Sequence, residues 1–176
     1  MQQQRSLKSR ALQLLAQRDQ SRLELRRKLV RHLRSTRAGG VERGDEDAHE
    51  AAAVEVEPLL DWLEANGFLS NERFAESRVH ARQSRFGLLR IKDELGRHQV
   101  ALPAELERAL AATEVERAAA VRSRRFAALP RDAAERAAQS RFLLARGFAP
   151  EIVHRLLRSL ARPVEVASSP TTNDPA

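Results

Sequence analysis

A chain of 176 residues with 31 Lys/Arg against 24 Asp/Glu carries a net charge of +7 and no cysteine, which excludes disulfides, Cys-based metal sites and thiol nucleophiles. Ala, Leu and Arg dominate, and β-branched residues never alternate with polar ones over a strand's length, so an all-α fold is expected. No apolar run approaches the ~18 residues of a membrane span, and MQQQRSLKSR lacks the apolar core of a secretory signal, so a cytoplasmic protein without membrane association is expected.

Leu7, Ala11, Leu14 and Leu15 recur at helical spacing and predict a first helix ending near Asp19 and Gln20. Ser21-Arg22-Leu23-Glu24 has the form of a capping box, in which Ser caps the third amide and Glu reaches back to the cap. The helix it opens carries Leu25, Leu29 and Leu33 on one face, with Arg27, Arg31 and Arg34 opposite and Lys28 beside them. Such a face is read either as solvation or as a binding surface, and the near absence of acids (Glu24 alone) favours the second as much as the first. Residues 1–40 hold eleven Lys/Arg and two acids, a balance of +9, whereas residues 41–66 hold one Arg and nine acids, a balance of −8. From Thr36 to Glu57 no apolar period is sustained, and the stretch 37–57 is expected as a flexible acidic loop, inert or shielding the basic faces.

Pro58 suits the first turn of a helix carrying Leu59, Leu60, Trp62 and Leu63, with Gly67 as its left-handed C-terminal cap. Trp62 reads as a core residue rather than a base-stacking platform, since Asp61 and Glu64 would repel phosphate. Phe68 and Leu69 are read as a turn pressed into a core. The next helix, starting at Ser70 or Asn71, places Ala75, Val79 and Phe86 on one face and Arg78, Arg82 and Arg85 in a stripe beside it, away from Glu72 and Glu76. The stripe is read either as arginine stems covering a core edge or as a contact for phosphate or an acidic protein. After Gly87, Leu88, Ile91 and Leu95 predict a helix with Arg90 and Arg97 facing outward and Asp93 and Glu94 only solvating it. Pro103 opens a helix with Leu106 and Leu110. Thr113-Glu114-Val115-Glu116 is read as a capping box for a helix with Val115, Ala119, Phe126 and Leu129, ended by Pro130. Asp132 through Glu135 caps the next, and Pro150 opens the last, with Ile152, Leu156, Leu157 and Leu160.

Nine predicted helices fall into three triplets, and Leu95/Val100 and Leu143/Phe148 repeat one spacing 48 residues apart. The expected organisation is a flexible N-terminus (1–5), a first helical repeat (6–69) interrupted by the acidic loop, a second (70–112), a third (113–162) and a disordered tail (163–176). The five His (32, 49, 80, 98, 154) are scattered, and no G-x-x-x-x-G-K-[ST] phosphate loop is present, so no enzyme, metal or cofactor is expected. The basic balance points to a polyanionic partner, although an Arg-rich, Ala-rich chain also fits a GC-rich genome.

Several stretches together resemble the RecX family, regulators of the bacterial RecA recombinase. They are Ala11-Leu12 through Arg18 with Ser21, Glu24, Leu25 and Leu29; Leu59, Leu63 and Gly67-Phe68-Leu69; Arg73-Phe74-Ala75 followed by Arg82; Gly87, Arg90, Ile91 and Leu95; and the turn Gly147-Phe148. The match runs from about Ser6 to Leu160. Ser70-Asn71-Glu72 stands where the family usually has an acidic pair, and the acidic insertion is longer than the family's usual connection. The resemblance implies an elongated, curved array of three three-helix repeats that lies in the groove of the recombinase filament on DNA. It implies inhibition of ATP hydrolysis, strand exchange and co-protease activity, and a place in recombination, repair and the SOS response. Arg27, Arg31, Arg34, Arg78, Arg82, Arg85, Arg90 and Arg97 are the candidate contacts. The expected partners are the filament and single- or double-stranded DNA, bound electrostatically without sequence specificity by a monomer. A stand-alone helical nucleic-acid-binding module, or a scaffold for an unrelated acidic protein, are the alternatives.

Overall fold

A computed structural model describes residues 6–37 and 46–160; the expectations for 1–5, for 38–45 and for the tail 163–176 lie outside the described residues. Among these, nine α-helices and no strand are present: α1 Leu7–Gln17, α2 Arg22–Arg37, α3 Glu46–Ala65, α4 Asn71–Arg82, α5 Leu88–Gly96, α6 Ala104–Ala112, α7 Glu114–Ser123, α8 Ala133–Ala145 and α9 Pro150–Ser159. No helix among the described residues is long and apolar enough to cross a membrane.

The buried side chains form three groups. Leu14, Leu25, Leu29, Val56, Leu60, Leu63 and Leu69 join α1, α2 and α3. Phe74, Val79, Ile91, Leu95, Val100 and Leu110 join α4, α5 and α6. Ala118, Val121, Leu143, Phe148, Val153, Leu156 and Leu157 join α7, α8 and α9. Each group supplies the apolar face that its amphipathic helices lack alone.

The acidic stretch is where the structure departs furthest from expectation. Residues 46–57 are helical and continuous with the helix expected after Pro58, which therefore lies inside α3. Ala52, Ala53 and Val56 are buried on the same stripe as Leu60 and Leu63, so two alanines carry a core face that looks patternless when only large apolar residues are counted. Pro58 removes one helical hydrogen bond. It lies on the exposed side, as does Val54, whose carbonyl loses its donor, so water can replace that bond.

Each of the three groups contains the same chain reversal. The amide of Phe68 donates to the Leu63 carbonyl (2.8 Å), that of Val100 to Leu95 (3.1 Å) and that of Phe148 to Leu143 (3.3 Å). Each is accompanied by a second bond one residue inward, from Gly67 to Glu64, Gln99 to Gly96 and Gly147 to Leu144, all 2.9 Å. These paired bonds define a Schellman cap, which needs a left-handed residue at its apex. Gly67 (φ 72°) and Gly147 (φ 78°) supply it, while at the second turn Gln99 is held at φ 56°. A side chain with a Cβ pays about 1–2 kcal/mol there. We expect Gln99→Gly to raise the urea midpoint by a free-energy equivalent of about 1 kcal/mol; an unchanged or lowered midpoint would show that the Gln99 side chain offsets the strain.

Several expected local contacts differ. Ser21 Oγ accepts the Glu24 amide (3.1 Å), but the Glu24 carboxylate binds Arg18 and Lys28 rather than the cap amide. Thr113 donates its hydroxyl to the carbonyls of Ala109 and Leu110 and makes no side-chain cap. Glu114, 3% exposed, instead accepts the Leu88 amide at the start of α5 (2.9 Å), linking the second and third groups. Helix α7 ends at Ser123, so Phe126 and Leu129 lie beyond it, and Leu129 is 53% exposed. Leu69 is buried as expected, whereas Phe68 is 47% exposed and stacks on Trp62 with centroids 5.5 Å apart. Lys8 lies over the Trp62 ring.

Candidate polyanion-binding surface

The basic character of α2 is divided between its two flanks. Arg22 binds Glu57 (2.6 Å), Asp61 (2.7 Å) and Glu64 (2.6 Å) on α3, and Arg26 binds Glu57 (2.5 Å). Burial alone would lower the Arg22 pKa, but these three carboxylates hold it above its ordinary value; Arg22 in turn, with Arg26, holds Glu57 below its own against the effect of burial. Arg37 pairs with Glu55. The acids of α3 thus neutralise Arg22, Arg26 and Arg37, and the other flank carries further cations. There Arg27 and Arg31 are exposed and form no ion pair among the described residues, and Arg34 is half-buried in the last turns of α2.

The stripe on α4 does have an acid, contrary to expectation, because that acid comes from the neighbouring helix. Glu94 of α5 accepts from both Arg78 (3.3 Å) and Arg82 (3.1 Å) and is half-buried between them, so it does more than solvate its helix. A wheel of α4 alone cannot show this pairing. Arg97 is similarly held by Asp93 (2.8 Å). Arg85 lies beyond the end of α4, and both it and Arg90 are exposed without a carboxylate among the described residues.

His98 marks the meeting of the two basic faces. Its ring lies 5.0 Å from that of Phe74, and its Nδ1 lies 3.5 Å from Ser21 Oγ. Burial lowers its pKa most, with Arg78 and Arg27 adding to the effect and Glu24 and Glu94 opposing it, so cations from α2 and α4 both bear on one imidazole. Glu24 is held down at about 2: burial would raise it, and Arg18 and Lys28 outweigh that.

A second cationic assembly lies at the seam between the second and third groups. Arg82, Arg85 and Arg146 approach the ring of Phe86 at 5.9, 6.0 and 5.9 Å. Arg146 also lies 4.7 Å from Phe142, which meets Phe126 edge to face at 5.3 Å, with Arg125 at 5.8 Å from Phe126. Arg124 donates to the Ser84 carbonyl (3.1 Å), and Arg117, its pKa lowered chiefly by burial, donates to the carbonyls of Gln83 (3.1 Å) and Phe86 (2.9 Å). Arg124, Arg125 and Arg146 were not among the expected contacts. The signal for Arg124 and Arg125 is Arg-Arg-Phe at 124–126, beside the recurring Ser-Arg-Phe at 84–86 and 140–142, whereas Arg146 lies outside these motifs. Interleaved guanidinium and aromatic groups can hold phosphate and stack against flat groups.

Comparison with known proteins gives two assignments that disagree. A family model described as FAD binding domain matches residues 9–169. Regulatory protein RecX of Ralstonia nicotianae is 46% identical over 155 residues, covering 87% of each chain, and that of Leptothrix cholodnii is 44% identical, covering 87% of this chain and 88% of its own. The crystal structure of RecX from Lactobacillus salivarius aligns with a TM-score of 0.53 at 20% identity, covering 88% of this chain and 94% of that one, a likeness of fold. The geometry decides between them. A flavin dinucleotide is held where a strand turns through a glycine-rich loop into a helix whose first amides receive the pyrophosphate. The described residues contain no strand, and the sequence contains no G-x-G-x-x-G. Gly87 and Gly147, which could allow a close approach, are already packed, Gly87 on the backbone of Gly147 and Phe148 and Gly147 on Arg90. The residues present do not fit the cofactor.

Proposed function

The chain belongs to the RecX family, and on that premise we propose that it is a non-enzymatic negative modulator of the RecA recombinase. In this reading the three helical groups are tandem repeats of an elongated, curved cytoplasmic monomer. It lies in the groove of the recombinase filament on DNA and restrains ATP hydrolysis, strand exchange and co-protease activity by limiting filament growth. The observation that carries the reading is the sorting of charge: the acids of α3 are engaged with Arg22, Arg26 and Arg37, while Arg27, Arg31, Arg85 and Arg90 stand exposed without a carboxylate among the described residues. Arg34, Arg78, Arg82 and Arg97 complete the proposed surface.

The Arg–Phe assembly at Phe86 favours a second reading, a helical module that binds nucleic acid unaided. Affinity for recombinase-coated and bare single-stranded DNA across a salt series separates the two. A phosphate binder loses affinity for bare DNA along a steep log–log slope set by the phosphates it neutralises. The filament reading expects tighter binding to coated DNA and a shallower slope there. Equal affinity for both, with the same slope, favours the stand-alone module.

A further inference from the structure

The third helical group carries an open cleft of about 640 Å³ between α8 and α9 that belongs to neither basic surface described above. Its lining includes an apolar part made of Ala137, Pro150, Leu157, which is 4% exposed, and Leu144, which remains 41% exposed. A leucine left this open beside a buried one marks a face with room for another apolar side chain. The rim is cationic. Arg131, Arg136 and Arg158 line it with His154, whose Nδ1 accepts from Arg158 at 2.8 Å. The acid in the lining, Asp132, is engaged in capping α8 through the Glu135 amide (2.8 Å); the Glu135 carboxylate accepts the Arg131 amide (2.9 Å) and lies only at long range from its guanidinium (3.9 Å). Arg136 has no ion pair among the described residues.

We propose that this cleft is a docking groove for an acidic amphipathic helix of a partner protein. Apolar side chains one turn apart on that helix would seat against Leu144 and Leu157, while flanking carboxylates meet Arg131, Arg136 and Arg158. Charge complementarity selects the occupant. A basic or neutral helix would bring no carboxylate to the three guanidiniums, and DNA would meet them through its phosphates without the leucine-sized side chains that the apolar lining accepts. The inference rests on this cleft alone and stands or falls separately from the filament reading.

The test uses the full chain and fluorescently labelled peptides of about four helical turns. The probe has Leu at one-turn spacing and Glu on both flanks; one comparison peptide replaces Glu with Lys and another replaces Leu with Ser. Anisotropy is expected to show binding of the Leu/Glu peptide only. Leu144→Glu and Arg136→Glu should each weaken it by at least about tenfold, equivalent to about 1.4 kcal/mol, while Arg108→Glu on α6 leaves it unchanged. Both groove positions are exposed, and circular dichroism confirms that the variants remain helical. Equal binding of the peptide in which Ser replaces Leu, or displacement of the probe by a single-stranded oligonucleotide, would overturn the proposal by merging the groove with the general polyanion surface. Tighter peptide binding after deletion of residues 161–176 would assign the groove to the chain's own C-terminal segment. Self-association abolished by Leu144→Glu would assign it to a second copy. Either outcome overturns the partner.

Discussion

Gly87→Ala is expected to destabilise the protein by roughly 3–5 kcal/mol, the sum of overpacking and two disrupted backbone hydrogen bonds. The reason is space rather than backbone strain, because Gly87 caps α5 at φ −78°, a conformation open to any residue. A Cβ at this position would lie under 3.0 Å from the Gly147 carbonyl and the Phe148 amide nitrogen, all backbone atoms that cannot swing aside. The same approach carries the bonds from the Gly87 amide to Arg146 (2.9 Å) and from the Leu89 amide to Gly147 (3.1 Å). The substitution therefore separates the second helical group from the third, and urea unfolding should broaden or split as well as shift. Gly96→Ala is the control: nothing lies within 4 Å of its Cβ position, and a helical site should gain up to about 1 kcal/mol. A Gly87→Ala midpoint shifted by less than the equivalent of about 1 kcal/mol would show that the junction yields.

The double variant Arg85→Glu/Arg90→Glu is expected to raise the concentration needed to inhibit the recombinase ATPase by at least about tenfold, with helical content and melting unchanged. Each replaced guanidinium contributes a charge-assisted contact of about 1.5–3 kcal/mol if it meets a phosphate or carboxylate of the partner. These two are the informative positions because neither holds a fold-stabilising acid among the described residues. Glutamate at Arg78 and Arg82 would instead place two further carboxylates beside Glu94, so any lost inhibition would be mixed with lost stability. Arg78→Gln/Arg82→Gln removes the charge more gently and should lower stability, since Glu94 would remain half-buried without its cations. Undiminished inhibition by a well-folded Arg85→Glu/Arg90→Glu variant would remove these residues from the contact surface.

Helix positions were largely legible in the sequence because caps and periods act locally. Gly67 and Gly147 mark two of the three Schellman turns, and Ser70 and Asp132 cap their helices as read. The acidic stretch 46–57 was misread because Ala52 and Ala53 add little to an apolar count, although packing needs only small side chains where helices approach closely. The acids there looked like repulsive bulk until Arg22 and Arg26 of another helix were placed beside them. Glu94 and Glu114 teach the same point. Each has a partner on a different element, 12 to 26 residues away, and no single helical wheel contains it. Phe68 was read as a core wedge from its neighbours in sequence, but a Schellman turn buries one of its two following apolar residues, here Leu69, and leaves the other against Trp62.

The central claim is restraint of the recombinase, and the most direct measurement is the rate of its DNA-dependent ATP hydrolysis on single-stranded DNA with and without stoichiometric protein. A several-fold lower rate that declines progressively with added protein is predicted. A rate unchanged at stoichiometric and excess protein would contradict the account.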